Sequence, residues 1–255
     1  MMFRSQFITA LLVLTLGALL VFPRWPGWPG WSGRARTSPG QAAVKGRVEL
    51  LNAKAKTRNG KVDASGIVVW LDPLGARPRG NHQRQTLVQQ GKRFTPHVMA
   101  VDFGTEVDFP NYDPFFHNVF SVYNGKRFDL GLYASGETRP VNFNRLGVSY
   151  IFCNIHPQMS AVVLTLETPY HAVSDQDGAF TINNVTEGRY RLNLWHERSS
   201  AEQLAAQSRV IRVDAANSDL GVIRLSEEGY IPQAHLNKHG EDYNTERNRP
   251  LYRRQ

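Results

Sequence analysis

The sequence predicts an all-β protein: two consecutive β-sandwiches behind an N-terminal hydrophobic helix. Three observations carry this. Apolar residues come in short runs, several alternating with polar ones at the period of a half-buried strand. Turn formers are frequent between the runs, with 21 Gly and 14 Pro in 255 residues. The pattern changes character after Glu167-Thr168-Pro169-Tyr170, where a second series of hairpin-like runs begins.

Residues 1–43 read as an export signal or membrane anchor followed by a linker. Met1-Met2-Phe3-Arg4 is a short basic lead, and Phe7 to Phe22 is apolar except for Thr9 and Thr15. Such a stretch directs export or anchors a chain, although it is shorter than the roughly 20 residues of an ordinary spanning helix. Trp25, Trp28 and Trp31 suit the headgroup level beyond it. The nearest small-x-small cleavage signal, Gly40-Gln41-Ala42, is far downstream, which favours an uncleaved anchor over a cleaved peptide. The folded part is therefore expected outside the cytoplasm, in a bacterial periplasm and tethered to the inner membrane by residues 7–22. Residues 23–43, rich in Pro, Gly, Trp and Arg without a period, form the linker.

Residues 44–167 make the first folded region. Val44–Leu50 alternates in part, and Gly66–Leu71 is a compact apolar run ending at Asp72-Pro73. Residues 74–93 are basic and loop-like, with a strand candidate at Gln85–Val88. Thr105–Phe109 alternates cleanly up to Pro110-Asn111. Val148–Phe152 alternates toward Cys153, and Ala161–Leu166 follows Met159. Phe128-Asp129-Leu130-Gly131 and Tyr133 read as a loop over the sandwich. His97 reads as structural.

One stretch in this region carries chemistry. Phe152-Cys153-Asn154-Ile155-His156-Pro157-Gln158-Met159 holds the only cysteine in the chain, so an intramolecular disulfide is excluded. An unpaired thiol in an exported protein is a liability unless buried or employed. Cys153, His156 and Met159 offer a thiolate, an imidazole and a thioether on one short loop. Upstream, Asp113-Pro114-Phe115-Phe116-His117-Asn118-Val119 offers a second imidazole at a strand end. Two His, one Cys and a weak axial Met compose a blue-copper donor set, which suits both oxidation states of copper. Cys-x2-His alone also fits zinc or a redox thiol, but structural zinc sites want four strong ligands and seldom use Met.

These residues carry a resemblance. Phe94-x-Pro96, Val101, Gly104, Val107-x-Phe109-x-Asn111-x-Asp113 and His117-Asn118-Val119 resemble the first half of a cupredoxin metal site, and Cys153-x2-His156-Pro157-x-Met159 its second half. The seven-residue loop with Pro after His is most similar to that of amicyanin. The wider chain resembles the cupredoxin-like proteins labelled methylamine utilization proteins. The resemblance implies a Greek-key β-sandwich binding one type 1 copper through His117, Cys153, His156 and Met159. It also implies that Asn118 ties the two ligand loops together by hydrogen bonds. Phe115, Phe116 and Pro157 would form an apolar rim around His156 where a redox partner, such as a cytochrome or dehydrogenase, docks.

Residues 168–226 form the smaller second region. Asp177-Gly178 is a turn signal between Ala172–Asp175 and Phe180–Val185. Gly188 opens a cleanly alternating run to Trp195, and Ser208–Val213 and Leu220–Leu225 add two more. The string DGAFTINNVTEGRYRLNLWH resembles the carboxypeptidase regulatory-like, transthyretin-type β-sandwich, a module that supports or binds. Asp175 and Asp177 read as turn carboxylates, since no EF-hand spacing follows. Residues 227–255 are polar and read as an extended tail.

Charge is uneven. Residues 1–95 carry 15 Lys/Arg against 3 Asp/Glu, or +12, and residues 96–255 carry 15 against 19, or −4. That suits an anionic membrane surface or an acidic partner. No zinc-finger spacing or RNP-type motif points to nucleic acid, and no Ser/His/Asp order or paired-carboxylate pattern points to an enzyme. The expected function is one-electron transfer outside the cytoplasm. A copper carrier or sensor, and a non-catalytic envelope adaptor with a vestigial site, are the alternatives.

Overall fold

The computed structural model describes residues 40–228, apart from 54, 55, 57, 58 and 123, together with residues 236–240. The expected anchor at 7–22 and most of the linker lie outside the described residues. Among the described residues, no helix is long and apolar enough to cross a membrane.

Among the described residues, seventeen strands and one short helix follow in order: β1 (Gln41–Leu51), β2 (Val68–Pro73), β3 (Gln85–Thr86), β4 (Val88–Gln89), β5 (Phe94–Thr95), β6 (Val98–Asp102), β7 (Thr105–Pro110), β8 (His117–Ser121), β9 (Phe128–Tyr133), β10 (Thr138–Phe143), β11 (Gly147–Cys153), β12 (Ser160–Leu166), β13 (His171–Val173), β14 (Ala179–Thr186), β15 (Gly188–Trp195), α1 (Ala201–Gln207), β16 (Arg209–Val213) and β17 (Asp219–Ser226). The all-β expectation holds. So does the Asp175 turn, whose Oδ1 accepts the Asp177 and Ala179 N–H groups.

The sheets divide the chain differently from the expected 44–167 and 168–226 boundaries. One sandwich packs the sheet β10-β7-β3 against β6-β12-β11-β8-β9; the other packs β14-β1-β17 against β13-β2-β15-β16. Thus β1 and β2 belong with the C-terminal strands. β1 runs antiparallel to β14 and parallel to β17, and β2 lies between β13 and β15. Alternation along a strand specifies which side chains face inward and leaves the partner strand open. β1 also begins at Gln41, inside the expected linker.

Four sheet layers therefore enclose three apolar layers. Val44, Val48, Val69, Leu71, Phe180, Ile182, Leu192 and Ile223 fill one sandwich. Val107, Phe109, Val119, Ile151, Ala161 and Val163 fill the other. Val68, Val98, Val162, Leu164 and Leu166 form the layer between them, flanked by Trp70 and Trp195. On β12, Ala161 and Val163 face one core while Val162 and Leu164 face the middle layer. On β2, Val69 and Leu71 oppose Val68 and Trp70 in the same way. Strands covered on both faces lose polar alternation, which is why these two read as continuous apolar runs. Each such Val or Leu contributes about 1.5–3 kcal/mol relative to exposure.

A polar pair links the two sandwiches at the rim of that layer. His97 Nε2 lies 2.9 Å from Glu197 Oε2, and His97 Nδ1 lies 3.0 Å from the Ser160 carbonyl. The Glu197 hydrogen bond raises the His97 pKa against the effects of burial and Arg198, and the His97 hydrogen bond lowers that of Glu197 against burial. A raised histidine stabilises the fold fully below its ordinary 6.5 and loses that contribution as pH rises through its folded value. A lowered glutamate contributes above its ordinary 4.5 and loses it as pH falls through its folded value. The pair should stabilise most between those pH values. Denaturant midpoints measured across pH 4–8 should show a broad maximum there, flattened in Glu197→Gln; the pair is half-exposed, so the effect is small.

Candidate metal centre

β11 turns Ser149, Ile151 and Cys153 toward the core, and Cys153 is its last residue. β8 starts at His117 and pairs with β11 through Val119↔Cys153. These two strand ends meet at one edge of the sandwich, where the loop 153–159 closes on itself. Met159 N–H donates to the His156 carbonyl (2.9 Å), and Cys153 N–H donates to the Met159 carbonyl (3.2 Å).

Cys153 Sγ lies 3.6 Å from His117 Nδ1 and 3.6 Å from His156 Nδ1. Among the described residues these three form the one group of His, Cys and acidic side chains placed to hold a metal ion, their donor atoms within 4.8 Å of one another. Metal–imidazole and metal–thiolate bonds of about 2.0 and 2.3 Å, opened between tetrahedral and trigonal angles, separate N and S by ~3.5–3.7 Å. The observed spacing is that of ligands around a common centre. His117 and Cys153 are fully buried, as is Met159, which packs in the same core cluster. His156 is half-buried, the most accessible of the four.

The protonation balance fits a cation. Burial opposes ionisation of Cys153, but His117 and the backbone N–H groups of Asn118, Ile155 and His156, which donate to its sulfur, bring the thiol below its ordinary value. Burial likewise opposes charge on His117, yet Cys153 and Asp113 raise its pKa. The first shift favours the thiolate that a metal would bind, and the second means that a metal entering there displaces a proton from His117. His156 is lowered by burial, His117 and Lys92, which keeps its Nδ1 lone pair free to bind.

Solved structures similar to this chain include a purple cupredoxin, an amicyanin variant and a copper-containing nitrite reductase. A purple cupredoxin from Nitrosopumilus maritimus is 22% identical, with a TM-score of 0.29, covering 32% of this chain and 99% of its own. A Met-to-Ala variant of amicyanin is 14% identical, TM-score 0.31, covering 38% and 98%. A copper-containing nitrite reductase from Thermus scotoductus is 20% identical, TM-score 0.31, covering 47% of this chain and 28% of the reductase. No family model matches the chain, and no curated protein sequence matches it.

Other sequence-derived site residues fall into place unevenly. The Phe115 ring stands 5.2 Å from His117 and 5.6 Å from His156, centroid to centroid, with Lys92 Nζ 5.4 Å from its own centroid. Phe116, next to His117 in the chain, and Pro157, next to His156, are exposed. Asn118 behaves differently from expectation. Its backbone N–H donates to Cys153, but its side-chain Nδ2 donates to Asp129 Oδ1 (2.6 Å). No side-chain bond from Asn118 to the 153–159 loop is present. β8 carries a bulge between Asn118 and Phe120 against β9, which re-aims the amide toward that strand. The expected 128–133 loop is this same strand β9, an edge strand whose Gly131 has φ +66°.

Asp113 is the site residue that sequence reasoning passed over. Its Oδ2 lies 2.9 Å from His117 Nε2, leaving Nδ1 to face Cys153. A carboxylate on the far nitrogen fixes tautomer and ring orientation of a metal-binding histidine. Asp113 is itself held by the Gly91 and Lys92 N–H groups at 2.6 and 2.9 Å. These belong to a two-residue hairpin turn joining β4 and β5, with φ of +63° and +56°. Paired positive φ at both central positions marks a type I′ turn, and here it aims two adjacent N–H groups at one carboxylate. Asn111 Oδ1 accepts the Asp113 N–H (3.0 Å), and its Nδ2 donates to the Phe115 carbonyl (2.8 Å). Behind it, buried Gln89 Nε2 donates to Tyr133 Oη, and Tyr133 donates to the Phe109 carbonyl. The Asp-x3-His spacing and the Gly91-Lys92 pair were the available signals.

Proposed function

We propose that this chain holds a single type 1 copper through His117, Cys153, His156 and Met159 and transfers single electrons between redox partners outside the cytoplasm. The observation that carries the reading is the pair of 3.6 Å approaches of Cys153 Sγ to two imidazole Nδ1 atoms, in a site closed by two strand ends. Copper bound there would supply one-electron redox chemistry. The protein's part is to hold the donors rigid, so that little need move when charge changes. Asp113 orients one imidazole, three backbone N–H groups stabilise the thiolate, and burial excludes water from Cys153 and Met159. This buried, crosslinked arrangement favours an electron carrier over a copper-delivery protein, whose ligands must release their cargo, and over an enzyme.

The half-buried edge of His156, with the Phe115 ring 5.6 Å away and exposed Phe116, Ile155 and Pro157 on the segments that carry His117 and His156, is the docking surface in this reading. The partner is a redox protein such as a cytochrome or dehydrogenase. Residues 7–22 tether the chain to the inner membrane on its periplasmic side. The second sandwich, a transthyretin-like module in this reading, supports the first through the shared apolar layer.

Adding Cu(II) to the reduced protein should produce an intense visible band that bleaches on mild reduction and returns on reoxidation without metal loss. Absence of the band sinks the copper reading. Copper lost to a Cu(I) chelator upon reduction replaces electron transfer with metal delivery.

A further inference from the structure

The tail contains a segment that the expectation of an extended, solvated chain does not explain. Residues 236–240 form a turn, in which Asn237 Oδ1 accepts the His239 N–H (2.9 Å) and its carbonyl accepts the Gly240 N–H (3.0 Å). Asn237 is 3% exposed. The next residue contacts the 153–159 loop and strand β9. Lys238 N–H donates to Asn154 Oδ1 at 3.0 Å, a residue 84 positions away that immediately follows Cys153. Lys238 Nζ lies 2.9 Å from Asp129 Oδ2. Asp129 Oδ1 in turn accepts the Asn118 side-chain amide, and the Asn118 backbone N–H donates to Cys153 Sγ.

We propose that residues 236–240 clamp the metal centre, with Lys238 as the positioning residue that ties the 153–159 loop to β8 and β9. One arm holds the loop at Asn154. The other passes through Asp129 and Asn118 to the sulfur from the opposite side. Asn118 does not bridge the two ligand-bearing segments by its side chain; the Lys238 turn makes that link instead. Ile155, Pro157 and Gln158 are exposed, so the Asn154 contact holds a stretch of the loop that faces solvent. Against burial, the bonds from Lys238, the Gly131 N–H and Asn118 hold the Asp129 carboxyl below its ordinary value.

Cys153 is the chain's only cysteine and is fully buried, so alkylation of the reduced, metal-free protein reports how often the loop opens. That readout is independent of copper. Lys238→Pro deletes the N–H donor, Lys238→Met deletes the ammonium while keeping the stem, and Asn154→Ala deletes the acceptor. Lys238→Pro and Asn154→Ala should each label about three- to tenfold faster than wild type, the range that follows from one lost hydrogen bond. The double variant should label no faster than the quicker single one, since both remove the same bond. Lys238→Met should label faster as well, and Lys238→Arg should restore protection. Thermal midpoints should stay near wild type, separating loop opening from global unfolding. Wild-type labelling rates in Lys238→Pro, Lys238→Met and Asn154→Ala, or multiplicative effects in the double variant, overturn the clamp. Its consequence for the copper spectrum rests on the reading proposed above: a shifted visible band in Lys238→Met extends the clamp to the loaded site. If the wild-type protein takes up no copper, the copper reading falls while the alkylation rates still decide the clamp.

Discussion

Cys153→Ser should abolish the intense visible band and lower copper affinity by more than ~100-fold, beyond the loss that follows removal of a group supporting a ligand. A serine hydroxyl remains protonated where the thiol ionises, so the strong anionic donor disappears. The surroundings make the loss worse. The Asn118, Ile155 and His156 N–H groups converge on the sulfur, and with a neutral oxygen in its place they face a weaker acceptor at a shorter reach. His117 changes too. Its pKa is raised by Cys153 and Asp113 against burial, so losing the thiolate returns the imidazole toward its neutral form, which frees Nδ1 of its proton and offsets only a small part of the loss. The variant should still fold, because serine is smaller than cysteine and the flanking β11–β12 ladder does not depend on the side chain. Absorption spectra and copper titrations of both proteins check this; a band of undiminished intensity in the variant would exclude Cys153 as the thiolate ligand.

The proposed metal donors stand out in the sequence because their chemistry is scarce. A single cysteine, with His and Met at short spacing on one loop and a further His at a strand start, leaves few other combinations. The position of Cys153 at a strand end follows from alternation in Val148–Phe152. What alternation could not show was partnership. β1 and β2 precede the strands that carry His117 and Cys153 in the chain yet join β14, β15 and β17, because a strand's pattern specifies its two faces and its neighbours are chosen by packing across long separations. The supporting polar groups were illegible for a related reason. Gly91-Lys92 looked like part of a basic loop, and only the closed hairpin shows two N–H groups aimed at Asp113. Asn118 was read as a bridge between ligand loops from its place beside His117, whereas the bulge in β8 turns its side chain toward Asp129. Lys238 lay in a stretch whose composition predicts no packing at all; its role depends on Asn154 and Asp129, which no local pattern connects to it.

Asp113→Ala should weaken copper binding about 10–100-fold and destabilise the fold by about 1–3 kcal/mol. Two separate losses combine. His117 Nε2 loses the carboxylate that sets its tautomer, so the ring can rotate and Nδ1 is no longer held toward Cys153. The Gly91 and Lys92 N–H groups also lose their acceptor, at a position where Asp113 is only 5% exposed. A buried donor left unpaired costs its full desolvation penalty. Asp113→Asn separates the two effects. The asparagine carbonyl can still accept from one part of the turn, so stability should recover in part. Its amide cannot replace a carboxylate that accepts from the turn and from His117 together, so the affinity loss should persist. Chemical denaturation and competition titrations on the three proteins check both quantities. Equal copper affinity in wild type and Asp113→Ala would show that the 153–159 loop and the β8 strand end position His117 without the carboxylate, and would reduce Asp113 to a structural fastener of the β4–β5 turn.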